Sequence, residues 1–424
     1  MKDKACRGNR ADSKVTEKTG RKDKRMRIQS KRVWIGGQFL PARIEIIDGK
    51  ISRIYEYGTG VCEADYGDQR ILPGFIDIHT HGAYGYDTND GEPEGLKNWM
   101  LRIPEEGVTS ILPTTVTQMP DVLLKAVSSV AQVIREGYEG AEILGIHFEG
   151  PFLDMDYKGA QPPEAIAVPS VEQFQKYQEA AEGWIRYITL SPEHDIDFAL
   201  IRYCVSHGVV VSLGHSSATY EQARMAVANG ATSMTHVYNG MTPYHHRKPG
   251  LVGAALRMRD VYGEVIGDGH HSDLAALNVF FQSKGRNHGI MVTDSLRAKH
   301  CPPGGNYQLG GHDIEIGEDG LARLKGTDTI AGSTLKMNEG LRILVEEAGV
   351  PLDTAINACT WNPACCLGVS DRKGKICAGY DGDLVVLDED YSVTAAYCRG
   401  NLWGSRTTVP RGVFPQNARK SRGQ

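Results

Sequence analysis

The chain has 424 residues and a formal net charge of −5, with 41% hydrophobic and 23% charged residues, enough for one large domain or two ordinary ones with a substantial core. Its 49 glycines exceed the average usage of about 7% and fit many tight turns between many elements better than a helical bundle. No apolar run approaches the roughly 20 residues of a membrane helix. The nine scattered cysteines include no Cys-x-x-Cys pair, so with no secretory signal the composition predicts reduced thiols in a cytoplasmic protein without a membrane partner.

The first 32 residues carry thirteen Lys and Arg against four Asp and Glu, which leaves −14 for the rest of the chain. Such asymmetry is found in nucleic-acid arms. This segment, however, has almost no apolar residues, and residues 1–25 read as a disordered basic tail with no nucleic-acid partner. Folding is expected to begin near Met26. Around Val33–Tyr55 the pattern is short-stranded, with hairpin turns at Gly36-Gly37 and Asp48-Gly49.

A different rhythm follows. Eight short apolar runs end in polar residues between positions 74 and 295: "GFIDIHTH", "TSILPTT", "AEILGIHFE", "RYITLSPE", "GVVVSLGHS", "ATSMTHVYN", "GEVIGDGHH" and "HGIMVTDS". Amphipathic stretches such as Pro120–Glu136 and Ser217–Asn229 lie between them. Alternating strand and helix means a parallel sheet. Eight units predict an α/β (β/α)8 TIM-type barrel over 74–375, with its site at the C-terminal strand ends. An open doubly wound sheet shares the alternation, but no G-x-G-x-x-G follows the first strand, which argues against a dinucleotide site. Strand-like pattern returns in "GKICAGYDGDLVVLDEDYSVTAAYCRGNLW". Segments 26–73 and 376–412 together predict a small β-sandwich domain built from both chain ends, with 413–424 as a tail.

The polar cargo of the runs carries the chemistry. The first ends in His79-Thr80-His81, whose two imidazoles share one side of a strand. The third ends in His147 and Glu149, the fifth in His215, the sixth in His236 and the eighth in Asp294. Any one of these could be a structural residue. Imidazoles and carboxylates together at parallel strand ends point to a divalent ion such as zinc, iron or manganese.

"PGFIDIHTHG" resembles the first-strand motif of the amidohydrolase superfamily. The ordered set "HFEGPF", "SLGHSSATY", "THVYNGM", "RKPG", "VTDS" and "AGSTLKM" resembles, more narrowly, the N-acetylglucosamine-6-phosphate deacetylase family, from about Met26 to Arg411. The resemblance implies metal-dependent hydrolysis of the N-acetyl group of an amino sugar phosphate, by a homodimer. It implies one ion at Glu149, His215 and His236, and a second at His79 and His81 in members that have that pair. His147 would orient ligands rather than bind. Asp294 would act as general base and then acid toward a metal-activated water. Asn239, the backbone of Gly240, Arg247 and His271 would grip the phosphate. Ala160, Gln161, Ile330, Ala331 and Gly332 match segments that contact substrate.

There are departures. Gln161 stands where some relatives carry His, and Gly240 where Ala is more usual. His245 and His246 have no counterpart and read as exposed loop residues. Three other functions share parts of this pattern. An N-acetylgalactosamine-6-phosphate deacetylase differs only in the sugar epimer. A cyclic amidase would carry a carbamylated Lys at the fourth strand end, where "ITLSPEHD" has none. A non-enzymatic sugar-phosphate sensor would not need Asp294.

Overall fold

The structure, a computed structural model, describes residues 24–302, 304–305, 307–317 and 320–405. Of the expected 1–25 tail only Lys24 and Arg25 fall among these residues, and none of the expected 413–424 tail does.

Both chain ends enter one sheet. Arg25–Ile35, Gln38–Ile47 and Lys50–Glu56 form an antiparallel ladder. Its two turns run through Gly36-Gly37 and Asp48-Gly49, all four at positive φ, the turn geometry that matches the twist of paired strands. The first strand opens at Arg25, which already pairs with Ile47. Leu384–Leu387 lies antiparallel to Arg70–Pro73, and Val393–Cys398 and Asn401–Ser405 continue the same sheet. Ile28, Val33, Ile44, Ile71, Leu384 and Val386 meet in one buried apolar cluster of this sheet.

Between the two ends the chain is α/β. Each of the eight runs contains a strand, from Phe75–Thr80 to Gly289–Val292. Phe75–Thr80 pairs parallel with Val108–Pro113. The latter pairs with Glu142–Ile143, and a parallel bridge joins Thr114 to His147. Ile146–Glu149, Ile185–Leu190, Val210–Leu213 and Ser233–Met234 pair in succession. Met234 N–H donates to Tyr262 O and Val237 N–H to Glu264 O, which leads to Gly263–Ile266 and its parallel partner Gly289–Val292. Finally Asp294 N–H donates to His79 O (2.9 Å), and Thr80 bridges Ser295, so the last run adjoins the first.

The helices follow their sequence signals. Pro120–Glu136 matches the expected span. Pro120 occupies the first turn, where a missing N–H costs nothing. Leu123, Ala126, Val127, Val130 and Val133 are buried at helical spacing. Tyr220–Ala228 begins three residues later than the expected Ser217. Thr219 caps it, accepting from Gln222 N–H while the Gln222 side chain accepts from Thr219 N–H. A three-stranded antiparallel excursion, Tyr307–Leu309, His312–Ile316 and Ala322–Leu324, follows the eighth run. Its Leu309, Ile314 and Ala322 pack with Val116, Leu296 and Ala331.

Candidate active site

The backbone turns sharply where three of the singled-out side chains leave their strands. His215, His236 and Asp294 have φ of 46°, 27° and 49°, the left-handed region that non-glycine residues avoid. Conformations of this kind cost on the order of 1–3 kcal/mol each and persist only where their surroundings hold them. Here Asp294 N–H is held by His79 O and Asn239 N–H by His236 O.

Four imidazoles then converge. His81 Nδ1 donates to Thr114 O (3.2 Å), His215 Nδ1 to Tyr157 O (2.8 Å) and His236 Nδ1 to Asn239 O (3.1 Å). A carbonyl has no proton to give, so these contacts fix the tautomer. His79 Nδ1 faces the Glu264 carboxylate at 2.9 Å. Each ring is left with an Nε2 lone pair, and all four point at two carboxylates. Glu149 Oε1 is 3.4 Å from His79 Nε2, 3.4 Å from His215 Nε2 and 3.3 Å from His236 Nε2. Glu149 Oε2 is 3.4 Å from His81 Nε2. Asp294 Oδ1 lies 3.0 Å from His81 Nε2 and 3.6 Å from His79 Nε2.

Two groups result, His79 with His81 and Asp294, and Glu149 with His215 and His236, each with donor atoms within 4.8 Å of one another. Donors about 2.0–2.2 Å from one tetrahedral ion stand roughly 3.3–3.6 Å apart, close to the spacings here. Moreover, the buried His79 Nε2 and Glu149 Oε1 have no hydrogen-bond partner among the described residues. Unspent lone pairs on buried atoms are costly, and a cation is a partner that satisfies several of them at once. The donor set therefore fits a divalent metal at both groups.

The electrostatics agree. Burial alone would lower His79 and His81, but Glu149 and Asp294 outweigh it and raise both. Burial likewise opposes charge on Glu149 and Asp294, and the facing imidazoles hold both carboxyls below their usual range. His147 goes the other way, pushed well down by burial and by neighbouring His79. It stays a neutral packing partner. Its Nδ1 faces Ile78 O, its Nε2 faces Thr189 Oγ1, and its ring stands edge-on to His79 at 4.5 Å.

A cavity of about 300 Å³ opens over Glu149 and Asp294, with His81, His215 and His236 in its wall. His79 is buried behind it. Of the expected substrate residues, Ala160, Gln161, Asn239, Gly240, His271, Ile330 and Gly332 line the cavity. Ala331 is buried in the cluster under the antiparallel excursion. Arg247 is exposed and outside the lining, its guanidinium 2.9 Å from His246 Nε2. His245 and His246 are exposed. Gln161 is committed at both ends of its amide: Oε1 accepts from Thr117 N–H (2.7 Å) and Nε2 donates to Glu149 Oε2 (2.8 Å). Asn239 Nδ2 is buried with no partner among the described residues. His271 Nδ1 donates to Asp268 Oδ2 (2.6 Å), and that carboxylate raises its pKa against the opposing effect of burial.

Sequence reasoning missed Val116, Gly159, Ile266 and Leu309 in the cavity wall, since glycine and apolar residues of loops and strand ends carry no chemical motif. It also missed Glu264 and Asp268. A carboxylate inside an apolar strand was the available signal for Glu264.

The fold and the site together are those of a hydrolase scaffold, and residues 70–403 match the amidohydrolase family; the chain belongs to that family. Within it, the chain is 41% identical to the N-acetylglucosamine-6-phosphate deacetylase of Bacillus subtilis strain 168, over 85% of this chain and 92% of the relative. It is 37% identical to that of Lysinibacillus sphaericus, over 81% and 88%. Its fold resembles the N-acetyl-D-glucosamine-6-phosphate deacetylase of Mycobacterium smegmatis, solved as a mutant in complex with N-acetyl-D-glucosamine-6-phosphate. The TM-score is 0.84 at 33% identity, covering 89% of this chain and 99% of that one.

Proposed function

We propose that this chain hydrolyses the N-acetyl group of N-acetylglucosamine-6-phosphate, releasing glucosamine-6-phosphate and acetate in amino sugar catabolism. The observation that carries this reading is the convergence of four Nε2 lone pairs on Glu149 and Asp294 at one cavity, in a chain whose relatives carry that activity in their names.

Glu149, His215 and His236 would hold one ion, and His79 and His81 beside Asp294 a second; nitrogen and carboxylate donors suit zinc, iron or manganese. Such an ion lowers the pKa of water and polarises a carbonyl. The rest falls to the chain. Asp294 takes a proton from the attacking water and returns it to the amide nitrogen as the C–N bond breaks, because an amine leaves only once protonated. Gln161 keeps Glu149 in place through its Nε2 contact. Asn239 Nδ2, with its unspent proton donors, and His271, whose protonated form Asp268 favours against burial, suit the sugar phosphate. Arg247 is an exposed cation of the same loop with no carboxylate partner among the described residues, and its guanidinium suits a phosphate dianion.

We read the scaffold as a (β/α)8 barrel over 74–375, carrying a small β-sandwich from 26–73 and 376–412. The pairing of each run with the next, and of the last with the first, supports the barrel. The shared core of strands from both ends supports the second domain. A cytoplasmic location fits the free cysteines of the described residues.

The test is acetate release from N-acetylglucosamine-6-phosphate, from its galactosamine epimer and from unphosphorylated N-acetylglucosamine, before and after chelation. Release from the first substrate, lost on chelation and restored by a divalent ion, is expected. Faster release from the epimer would reassign the sugar. No release from any substrate by ion-loaded protein would refute the proposal.

A further inference from the structure

Of the four converging imidazoles, three are backed by neutral carbonyls: His81 by Thr114 O, His215 by Tyr157 O and His236 by Asn239 O. His79 alone is backed by a carboxylate, Glu264 Oε2 at 2.9 Å. Glu264 is fully buried, with no Lys or Arg among its ion pairs in the described residues. Burying a carboxylate without a cation is expensive, so its surroundings must account for it. Its Oε1 accepts from Tyr187 O–H (2.6 Å). Its Oε2, besides meeting His79, lies 3.3 Å from the backbone N–H of His236. The carboxylate thus holds the His79 ring directly and reaches the other donor group only through a backbone N–H, the His236 ring itself being oriented by Asn239 O. What it orients at His79 is the unpartnered Nε2, while Tyr187, itself in contact with Ser233 Oγ, keeps the carboxylate from rotating away.

Resting on the metal-dependent reading above, we infer that Glu264 is the positioning residue that turns His79, His81 and Asp294 into a working site for a second ion. A carboxylate that takes the far ring proton fixes the tautomer, fixes the ring plane and makes Nε2 a stronger donor. Carbonyl-backed His81, with Asp294 across from it, has no such support. Replacing Glu264 removes that support while leaving every donor atom of Glu149, His215 and His236 in the chain. The role is one of positioning: His79 stands between Glu264 and the cavity.

The experiment strips the full-length chain of metal and titrates it with Co2+. Bound ion per chain is counted by elemental analysis after equilibrium dialysis, and the visible Co2+ absorption is followed at each step. Wild type is expected to bind in two steps. Glu264→Gln, which fills the same space and can still meet Tyr187, should weaken the second step by about 10- to 100-fold and leave the first within threefold. Equal weakening of both steps would mean a general structural role and overturn the inference. So would an unchanged second step, or a wild type that takes up a single ion. A wild type that binds no ion would instead overturn the metal-dependent reading, and the inference with it. Should Glu264→Gln fail to fold, 15N-histidine NMR of zinc-loaded wild type decides. A proton on His79 Nδ1, protected from exchange, is expected, and a proton on Nε2 refutes the assignment.

Discussion

Gln161 separates two roles that its motif alone cannot. As a substrate contact its amide would be free to meet the sugar. Instead it spans Thr117 N–H and Glu149 Oε2. Gln161→Leu keeps most of the volume and removes both contacts. A hydrogen bond to an ionised carboxylate contributes about 1.5–3 kcal/mol. At about 1.4 kcal/mol per tenfold, loss of that contact should weaken the ion held by Glu149 by roughly 10- to 140-fold. The stranded Thr117 N–H falls on folding instead, at about 1–3 kcal/mol. Zinc affinity is measured by competition with a chromophoric chelator, and stability by urea unfolding of the metal-free protein. Unchanged zinc affinity together with a raised KM would refute the reasoning, because the amide would then serve the substrate and not Glu149.

Asp294→Asn should lower turnover by about 10²- to 10⁴-fold while elemental analysis still finds the ion held by Glu149, His215 and His236; activity within tenfold of wild type would remove Asp294 from the proton transfers. Arg247→Ala should raise KM for the phosphorylated sugar and leave the unphosphorylated analogue unaffected; equal losses on both would contradict a phosphate contact. Because Asp268 raises His271 above 6.5 despite burial, the imidazolium and its grip on phosphate persist above that pH and fade as pH climbs through the raised value. Asp268→Asn should shift that fall in kcat/KM to lower pH, and an unmoved profile would count against His271. Lys299 and Glu106 form a fully buried pair at 2.8 Å. Burial pushes Glu106 up, yet Lys299 and His300 bring it down to about 2 from 4.5. The pair's stability is therefore complete above pH 4.5 and lost as pH falls toward 2. Lys299→Met should cost about 3–5 kcal/mol in urea unfolding at pH 7 and flatten that acid dependence; a loss below 1 kcal/mol would show that the pair is dispensable.

The eight runs were legible because each is an apolar stretch closed by a polar residue, a local pattern that survives without knowledge of the partner strand. The donor residues were legible for the same reason, since they stand at the ends of those runs. Glu264 was not. It interrupts an apolar strand, and only the folded chain, with its last run beside its first, brings it to His79, 185 residues away. The antiparallel excursion was also invisible: "YQL", "HDIEI" and "ARL" are too short and too mixed for either period to register. Arg247 shows a third kind of limit. Its motif was plain, but a motif does not say whether a loop side chain points into a cavity or out of it.

The sheet shared by the two chain ends has a consequence for synthesis. Arg70–Pro73 leads straight into the strand that carries His79, and its partner Leu384–Leu387 comes almost at the end of the chain. Arg70 itself donates to Asp388 O, 318 residues on. At about 5–20 residues per second on a ribosome, that edge waits roughly 15–65 s for its neighbour. During the wait it presents unpaired backbone groups, a template for the wrong strand. A transcript broken before codon 384 would leave that edge open for good, beside otherwise complete donor groups. Such a product would be lost to aggregation before it was limited by chemistry.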